Sequence, residues 1–304
     1  MHDLTRRIHD NVARVLLGKD PAIQLAIATL LAGGHLLIED RPGVGKTLLA
    51  RALARSLDLP FQRLQCTADL LPSDVVGCQV YQPGSGEITF RPGPVFTSVL
   101  VADELNRTPP RTQSALLECM QERRVTIERT THALPDPFFV VATQNPLAYT
   151  GTYPLPENQL DRFLMRIRIG YPDTATEIAI VQKDDGHRGI DQLQAVARPD
   201  EVLAARQAVD RVKVQADVAA YMVALATATR SAHDVKLGVS TRGVQALHRA
   251  SRARALMLGR DFVVPDDVRT LLVPVFAHRM SVRGSDGAAE AILMEMLSTV
   301  ATPD

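Results

Sequence analysis

The stretch at residues 35–47 constrains this chain more than any other part of its sequence. It reads His-Leu-Leu-Ile-Glu-Asp-Arg-Pro-Gly-Val-Gly-Lys-Thr, an apolar run followed by a turn that contains two glycines. The Leu-, Ala- and Arg-rich segment that follows, to Leu57, predicts a helix. A strand that turns through glycines into a helix N-terminus is typical of a phosphate-binding loop, because its backbone N–H groups converge on an anion.

Residue types in this loop indicate which phosphate chemistry it serves. The lysine of such a loop reaches the β- and γ-oxygens, and the hydroxyl that follows it ligates Mg²⁺. Asp40 departs from the strict pattern G-x-x-x-x-G-K-[ST], because it stands where the first glycine belongs. An ordinary strand-to-helix turn does not explain a lysine at a helix N-terminus, where the macrodipole disfavours cations. The candidate phosphate-binding residues are Pro42, Gly43, Val44, Gly45, Lys46, Thr47 and Leu48.

Two further apolar runs end in polar residues. Residues 99–102 lead into Asp103 and Glu104, and residues 138–142 lead into a polar group that ends at Asn145. The carboxyl ends of parallel strands border the crevice where α/β proteins bind ligands. An isolated acidic pair is more often a solvated strand end. After a phosphate-binding loop it indicates an Mg²⁺ ligand followed by a residue that orients the attacking water.

The rest of the chain suggests two domains. Its 304 residues are enough for about two, and Tyr171-Pro172 looks like the boundary between an α/β core at 1–172 and a helical domain at 173–304. Alternating apolar residues predict β-hairpins at 76–90, with a turn at 83–86, and at 123–135. A capping box at 174–177 predicts the start of a helix, and further helical patterns fall near residues 199–211, 215–231, 241–258, 265–279 and 287–301.

Net charge, apolar runs and cysteine spacing limit the functions that this chain can have. With 34 basic and 34 acidic residues the formal net charge is +0, which gives no support for a general polyanion binder. We expect no signal peptide and no membrane span, because no long apolar run is present. The three cysteines, Cys66, Cys78 and Cys119, lack metal-type spacing and are interpreted as reduced core thiols of a cytoplasmic protein.

The motifs, in their order, resemble those of the AAA+ ATPases and, within them, the MoxR family. The matching segments are 39–47, 69–74, 91–94, 102–107, 112–118, 142–146, 160–163 and 240–242. The resemblance implies an α/β P-loop core with a five-stranded parallel sheet, followed by a C-terminal α-helical lid domain. It identifies the hairpin at 76–90 with the family's helix-2 insert and that at 123–135 with its pre-sensor hairpin.

Site roles follow from the resemblance, residue by residue. Lys46 and Thr47 bind phosphates and Mg²⁺, Asp103 holds Mg²⁺, and Glu104 is the catalytic base. Asn145 resembles sensor 1, Arg162 the arginine finger and Arg242 sensor 2; a surface salt bridge and a solvated helix start are the alternatives for the two arginines. The pattern assigns no role to Arg107, and it places Arg249, Arg252 and Arg254 on a solvated helix face.

The resemblance also implies an activity and partners. We expect Mg²⁺-dependent hydrolysis of ATP to ADP in a homo-oligomeric ring, by expectation a hexamer, because a finger far along the chain reaches a neighbour's nucleotide. The expected work is remodelling or maturation of a partner protein, with a von Willebrand A domain protein as candidate. The alternatives are a magnesium-chelatase-like motor subunit, a nucleic-acid motor, which the net charge disfavours, and a nucleotide-gated scaffold with little turnover.

Overall fold

The computed structural model of the chain describes residues 2–84, 86–146, 151–183, 188–284 and 287–303. Ser85, within the predicted first hairpin turn, lies outside these residues. Strands and helices alternate in the first part of the chain, and the part after residue 172 is mostly helical.

Helices and strands are numbered in chain order. The strands are β1 (Leu36–Glu39), β2 (Phe61–Gln65), β3 (Gly77–Gln82), β4 (Glu87–Pro92), β5 (Val99–Asp103), β6 (Arg124–Ile127), β7 (Thr130–Ala133), β8 (Phe139–Gln144), β9 (Met165–Ile167), β10 (Val235–Leu237) and β11 (Ser281–Val282). The α-helices are α1 (His2–Ala13), α2 (Asp20–Leu31), α3 (Lys46–Ser56), α4 (Pro72–Val76), α5 (Pro110–Glu122), α6 (Glu157–Leu160), α7 (Thr174–Lys183), α8 (Arg188–Asp191), α9 (Pro199–Val209), α10 (Ala216–Ser231), α11 (Thr241–Met257), α12 (Pro265–Phe276) and α13 (Ala288–Thr299). Short 3₁₀ turns cover Leu105–Arg107 and Ala277–Arg279.

The central sheet has five strands in the order β2-β5-β8-β1-β9, and every described pair in it is parallel. Successive residues point to opposite faces of a strand. Leu36 and Ile38 therefore belong to an apolar cluster with α1, α2 and α3, whereas Leu37 belongs to a second cluster that contains α5. Burial on both faces explains why these strands are continuous apolar runs in the sequence. The predicted α/β fold with a five-stranded parallel sheet is confirmed.

Both predicted hairpins are present beside this sheet. Strands β3 and β4 pair antiparallel with Gly77 opposite Pro92, and β6 and β7 pair with Arg124 opposite Ala133. The two hairpins touch through aromatic rings, because His132 stacks on Phe90 with 4.2 Å between the ring centroids. They leave the sheet's own strand order uninterrupted.

The second part of the chain contains the predicted helices together with elements that the sequence did not reveal. The short helix α8 and the two-stranded antiparallel sheet of β10 and β11 were not expected. One continuous apolar cluster includes α1 and α2 as well as α9–α12, so the helical part packs on the first two helices. The boundary near residue 172 stays a prediction. No described helix is long and apolar enough to cross a membrane.

Three expectations about individual side chains were wrong. Arg252 is not on a solvated face, because it is only partly exposed and its Nε donates to the Val212 carbonyl at 2.8 Å. Cys66 and Cys119 are buried, but Cys78 is exposed, because it lies on the β3–β4 hairpin rather than in the core. Arg254 is not on a solvated face: its guanidinium pairs with the fully buried carboxylate of Asp267, which Arg260 also contacts at 2.7 Å. A buried carboxylate needs such cationic partners to remain charged.

Candidate active site

Parallel pairing brings three functional segments to one edge of the sheet. The register sets Glu39 beside Gln144, and Gln65 beside Asp103, so that β1, β5 and β8 end side by side. The loop at 40–45, the acidic pair and Asn145 follow directly after these strand ends. This carboxyl edge therefore gathers the phosphate loop, the Mg²⁺-ligand candidate and the sensor-1 candidate.

The loop has the backbone conformation that phosphate binding requires. Gly43 and Gly45 have φ of +83° and +97°, a region that residues with a Cβ rarely adopt. A Cβ on Gly43 would meet nothing within 4 Å, so this side of the loop is open. Helix α3 begins at Lys46 directly after the second glycine, and its free N–H groups face the same space.

Lys46 extends its amino group back over the loop. Its Nζ donates to the carbonyl oxygens of Asp40, at 2.5 Å, and Gln144, at 3.2 Å. Partial burial lowers the pKa of Lys46, although the charges of Asp40, Asp103 and Glu104 act in the opposite direction. Desolvation is the larger cause, so a bound anion would further stabilise the ammonium form.

Asp40 has a structural task that explains its departure from the glycine of the strict motif. One carboxylate oxygen accepts hydrogen bonds from the backbone N–H groups of Ile169, at 2.7 Å, and Gly170, at 2.6 Å. The other accepts from the backbone N–H of Arg41 at 2.8 Å. Asp40 is also not one of the residues at positive φ, so the chain needs no glycine here. This side chain ties the phosphate loop to the segment that follows β9.

The residues expected to hold Mg²⁺ lie together. Thr47 Oγ1 is 3.2 Å from the nearer carboxylate oxygen of Asp103, which is 6% exposed. Thr143 Oγ1 also donates to Asp103, at 3.3 Å. Mg²⁺ prefers hard oxygen ligands and commonly takes only one or two from the protein, with phosphate oxygens and water completing its shell. The hydroxyl and the carboxylate fit that donor set.

Arg63 is a neighbour of Asp103 that the sequence did not single out. Its Nε donates to Asp103 Oδ2 at 2.6 Å from the adjacent strand β2. The guanidinium group is therefore on the carboxylate that we expect to ligate Mg²⁺. A charged residue on the strand beside the acidic strand was the only signal in the sequence.

Glu104 is held in an unusual backbone conformation. Its φ of +57° is in the left-handed region, which costs energy for a residue with a Cβ. Its backbone N–H donates to Thr143 Oγ1 at 2.9 Å, which fixes this turn. Its carboxylate pairs with Arg107 Nη1 at 2.8 Å, which gives Arg107 the contact that the pattern left unassigned.

Arg162 and Arg242 lie at the other edge of the sheet. Arg162 precedes β9, so it belongs with the strand beginnings, and its Nη1 donates to the Leu117 carbonyl at 2.9 Å. Arg242, at the start of α11, has its Nε 3.5 Å from Asp161. Both arginines line one cavity of about 290 Å³, together with His35 at the beginning of β1.

The predicted site residues therefore form two groups within one chain. Lys46, Thr47, Asp103, Glu104 and Asn145 are at the carboxyl edge, whereas Arg162 and Arg242 are at the amino edge. A four-residue strand such as β1 spans about 13 Å, and both groups extend outward from its ends. The two arginines consequently do not contact a phosphate bound at the loop of the same chain.

Known protein families and relatives match this chain over most of its length. Residues 35–165 match the family model described as the ATPase family associated with various cellular activities (AAA), and residues 227–296 match an AAA lid domain. Chaperone MoxR1 of Mycobacterium tuberculosis is 37% identical, in an alignment that covers all of this chain and 83% of that protein. The chain belongs to the MoxR family of AAA+ ATPases. It is an ATP-hydrolysing enzyme with a nucleotide-binding core.

Two further relatives and one solved structure also match this chain over most of its length. A Bacillus subtilis protein, YeaC, is 44% identical over all of this chain and 96% of its own length. Protein MoxR of Paracoccus denitrificans is 34% identical over 88% of this chain and 85% of its own. The crystal structure of a candidate ATPase from Cytophaga hutchinsonii superposes with a TM-score of 0.90 at 36% identity, covering 100% of this chain and 96% of that one.

Proposed function

We propose that this MoxR-family ATPase works as a ring in which each ATP is hydrolysed between two subunits. The observation that carries the proposal is the separation of Arg162 and Arg242 from the phosphate loop. Phosphoryl transfer spreads negative charge over the transferred group, and cations from several directions stabilise it. The chain's own carboxyl edge supplies Lys46, so the additional arginines come from the amino edge of a neighbour.

Within one subunit, the carboxyl edge binds the nucleotide and activates water. The loop from Pro42 to Leu48 cradles the phosphates through its N–H groups, with Lys46 on the β/γ oxygens. Thr47 and Asp103 would hold Mg²⁺, which neutralises charge that develops on the phosphate oxygens. Glu104 accepts a proton from the attacking water, and Asn145 positions that water beside the γ-phosphate. Arg63 donates to the same carboxylate of Asp103 and would hold it in position beside Thr47.

Across the interface, Arg162 serves as the arginine finger and Arg242 as the second sensor. A surface that donates to the next subunit while another surface accepts is head-to-tail, and such contacts close into a ring when the rotation allows. A hexamer is the ring size that we propose. Its ATP cycle would drive remodelling or maturation of a client protein, with a von Willebrand A domain protein as the candidate partner.

Two further aspects of the proposal are the kind of work and the cell compartment. The printed name of the mycobacterial relative, Chaperone MoxR1, supports a chaperone-like role for this chain. Because the chain hydrolyses ATP, we propose that the ring works in the cytoplasm.

A mixing experiment tests whether Arg162 acts on a neighbour. Arg162→Ala should keep ATP binding and lose roughly three orders of magnitude in turnover, the scale of arginine fingers. Glu104→Gln should bind ATP and hardly hydrolyse it, because the amide keeps the shape and loses the base. In mixed rings, an Arg162→Ala subunit with its own Glu104 receives an arginine from a Glu104→Gln neighbour.

Activity should therefore reappear when the two inactive variants are combined. The measurement is the steady-state rate of phosphate release at equal total protein, with mixed assembly verified by mass spectrometry of the rings. Mixed rings that stay as inactive as either variant alone would show that Arg162 does not act in trans.

A further inference from the structure

Five arginines line the cavity at the amino edge, and the proposed mechanism gives no role to three of them, Arg123, Arg249 and Arg279. Arg279 is already paired with Asp161, so Arg123 and Arg249 remain to be explained. Arg242, Gln245, Ala246 and Arg249 all line it from α11. Their spacing of three, four and seven residues puts them on one face of that helix. Arg249 thus lines the same cavity as Arg242, two turns further along the helix.

Arg123 and Arg249 come together at one point. A Cβ on Gly33 would be 3.2 Å from Arg249 Nη2 and 3.3 Å from Arg123 Nη2, so both guanidinium groups flank this glycine. Arg123 Nη2 donates to the Gly33 carbonyl at 3.0 Å. Within the described ranges, Arg249 has neither a hydrogen bond nor an ion pair to its side chain. Two guanidinium groups are therefore adjacent, and that of Arg249 has no hydrogen-bond or ion-pair partner among the described residues.

A third arginine, Arg206, adds positive charge close to Arg123 and Arg249. Arg206 Nη2 is buried and has no hydrogen-bond partner among the described residues. Burial, and after it the charge of Arg123, lowers the pKa of Arg206 to about 10, with Arg249 contributing and Asp136 opposing. Like charges that face one another in a partly desolvated site raise the free energy of the folded chain unless an anion offsets them.

The acidic residues nearby are already shared. Asp136 pairs with Arg206 at 3.1 Å and lies 3.9 Å from Arg123. Asp161 is the only acidic residue among the described ones that line the cavity. It pairs with Arg279 at 2.7 Å and with Arg242 at 3.5 Å. Each carboxylate thus serves two guanidinium groups. The excess positive charge is at Arg249, an exposed residue that lines the cavity.

We propose that Arg249 is a third trans cation, which binds the polyphosphate of the nucleotide held by a second copy of this chain, with Arg123 beside it. This inference rests on the proposed ring, in which Arg162 and Arg242 bring the same cavity against that nucleotide. A polyphosphate presents several charged oxygens in a row, and the planar fork of an arginine matches them in pairs. Such an extended anion suits Arg123, Arg162, Arg242 and Arg249, the four cavity arginines other than Arg279, better than a single carboxylate does.

The test uses the full chain in a Glu104→Gln background, so that ATP is bound and not consumed. Assembly is followed by sedimentation velocity across a protein dilution series, with ATP and without nucleotide. Arg249→Ala should raise the protein concentration needed for ATP-dependent assembly by about tenfold, the worth of one charge-assisted hydrogen bond. With an intact Glu104, the same substitution should lower turnover per subunit by about tenfold or more.

Two further variants separate the charge effect from damage to the fold. Arg211→Ala is the matched control, because Arg211 is exposed in the same part of the chain and does not line the cavity. It should assemble and turn over like the parent. Arg249→Lys keeps the charge and should recover part of the lost assembly, whereas Arg249→Gln should behave like Arg249→Ala.

Three outcomes would overturn the inference. Parental assembly and turnover in Arg249→Ala would remove Arg249 from the interface. Equal weakening with ATP and without nucleotide would assign it to a protein carboxylate of the neighbour. A loss in Arg249→Lys equal to that in Arg249→Gln would show that the charge is not what matters. Failure of the ring itself is seen separately, as unimpaired turnover in Arg162→Ala.

Discussion

Arg107 holds the carboxylate of Glu104, with 2.8 Å between Arg107 Nη1 and Glu104 Oε2. The two residues are three positions apart, and the 3₁₀ turn Leu105–Arg107 brings the arginine back over the glutamate. The proposed catalytic base is therefore paired with a cation of its own subunit. At Oε2 the arginine therefore competes with the attacking water for the carboxylate.

We predict that Arg107→Ala raises basal turnover. The pair is substantially exposed, with side-chain exposures of 55% for Arg107 and 31% for Glu104. Exposed pairs contribute up to about 1 kcal/mol, so the expected increase is at most about fivefold. The measurement is steady-state phosphate release at saturating ATP, with Arg111→Ala, an exposed arginine of α5, as control. A fall in turnover would instead show that Arg107 positions the base productively.

Lys46→Ala should weaken ATP binding by about a hundredfold, because the phosphates lose a charge-assisted contact worth up to about 3 kcal/mol. Titration calorimetry with the non-hydrolysing Glu104→Gln chain as parent measures the affinity directly. Lys236→Ala, which removes an exposed lysine of β10, provides a matched loss of one positive charge. Unchanged affinity in Lys46→Ala would contradict the assignment of the phosphate loop.

Asp40→Gly would restore the strict loop pattern, and we expect it to destabilise the protein. It removes the acceptor for the N–H groups of Ile169 and Gly170, and an unsatisfied buried donor costs about 1–3 kcal/mol. Asp40→Asn retains one acceptor oxygen and should lose less. Urea denaturation midpoints rank the three chains. If Asp40→Gly is as stable as the parent, the hydrogen bonds from Asp40 to residues 169–170 contribute nothing measurable to the free energy of unfolding.

The sequence predicted most of the carboxyl edge because its signals are local. Gly43, Gly45, Lys46 and Thr47 are contiguous, and each apolar strand is followed directly by the polar residue that it presents. Parallel pairing then leaves little freedom in how Asp103 and the loop meet. Both hairpins were predictable for the same reason, since period-two alternation is a property of a short segment.

The amino edge could not be predicted because its residues are distant in sequence. Arg123, Arg162 and Arg249 meet only after α5, β9 and α11 have packed. Arg249 was expected on a solvated face, since a charged residue on a helix is usually exposed, and it is exposed; what the pattern did not show is the cavity in front of it. The ties of Arg63 to Asp103 and of Asp40 to Gly170 likewise depend on tertiary contacts.

The last prediction concerns pH and His35, which is buried at the beginning of β1. Its Nε2–H donates to the Met120 carbonyl at 3.0 Å, and its Nδ1 accepts from the Val140 N–H at 3.0 Å, so the neutral ring satisfies both partners. Burial lowers its pKa to about 4, and the charges of Arg123 and Arg206 act in the same direction.

Because the folded-state pKa of His35 is below its unfolded value, the unfolded chain binds the extra proton first. Its contribution to stability is intact above about pH 6.5, falls by about 1.4 kcal/mol per pH unit as the pH decreases, and is lost near pH 4. We therefore expect His35→Gln to lose stability less steeply between pH 6.5 and 5 than the parent.

Urea denaturation at several pH values gives the slope of stability against pH for each chain. His233→Gln, with a side chain that is 90% exposed in the parent, is the control and should keep the parental slope. Equal slopes for His35→Gln and the parent would show that His35 takes up no proton on unfolding in this range, because any buried His278 contribution is common to both chains.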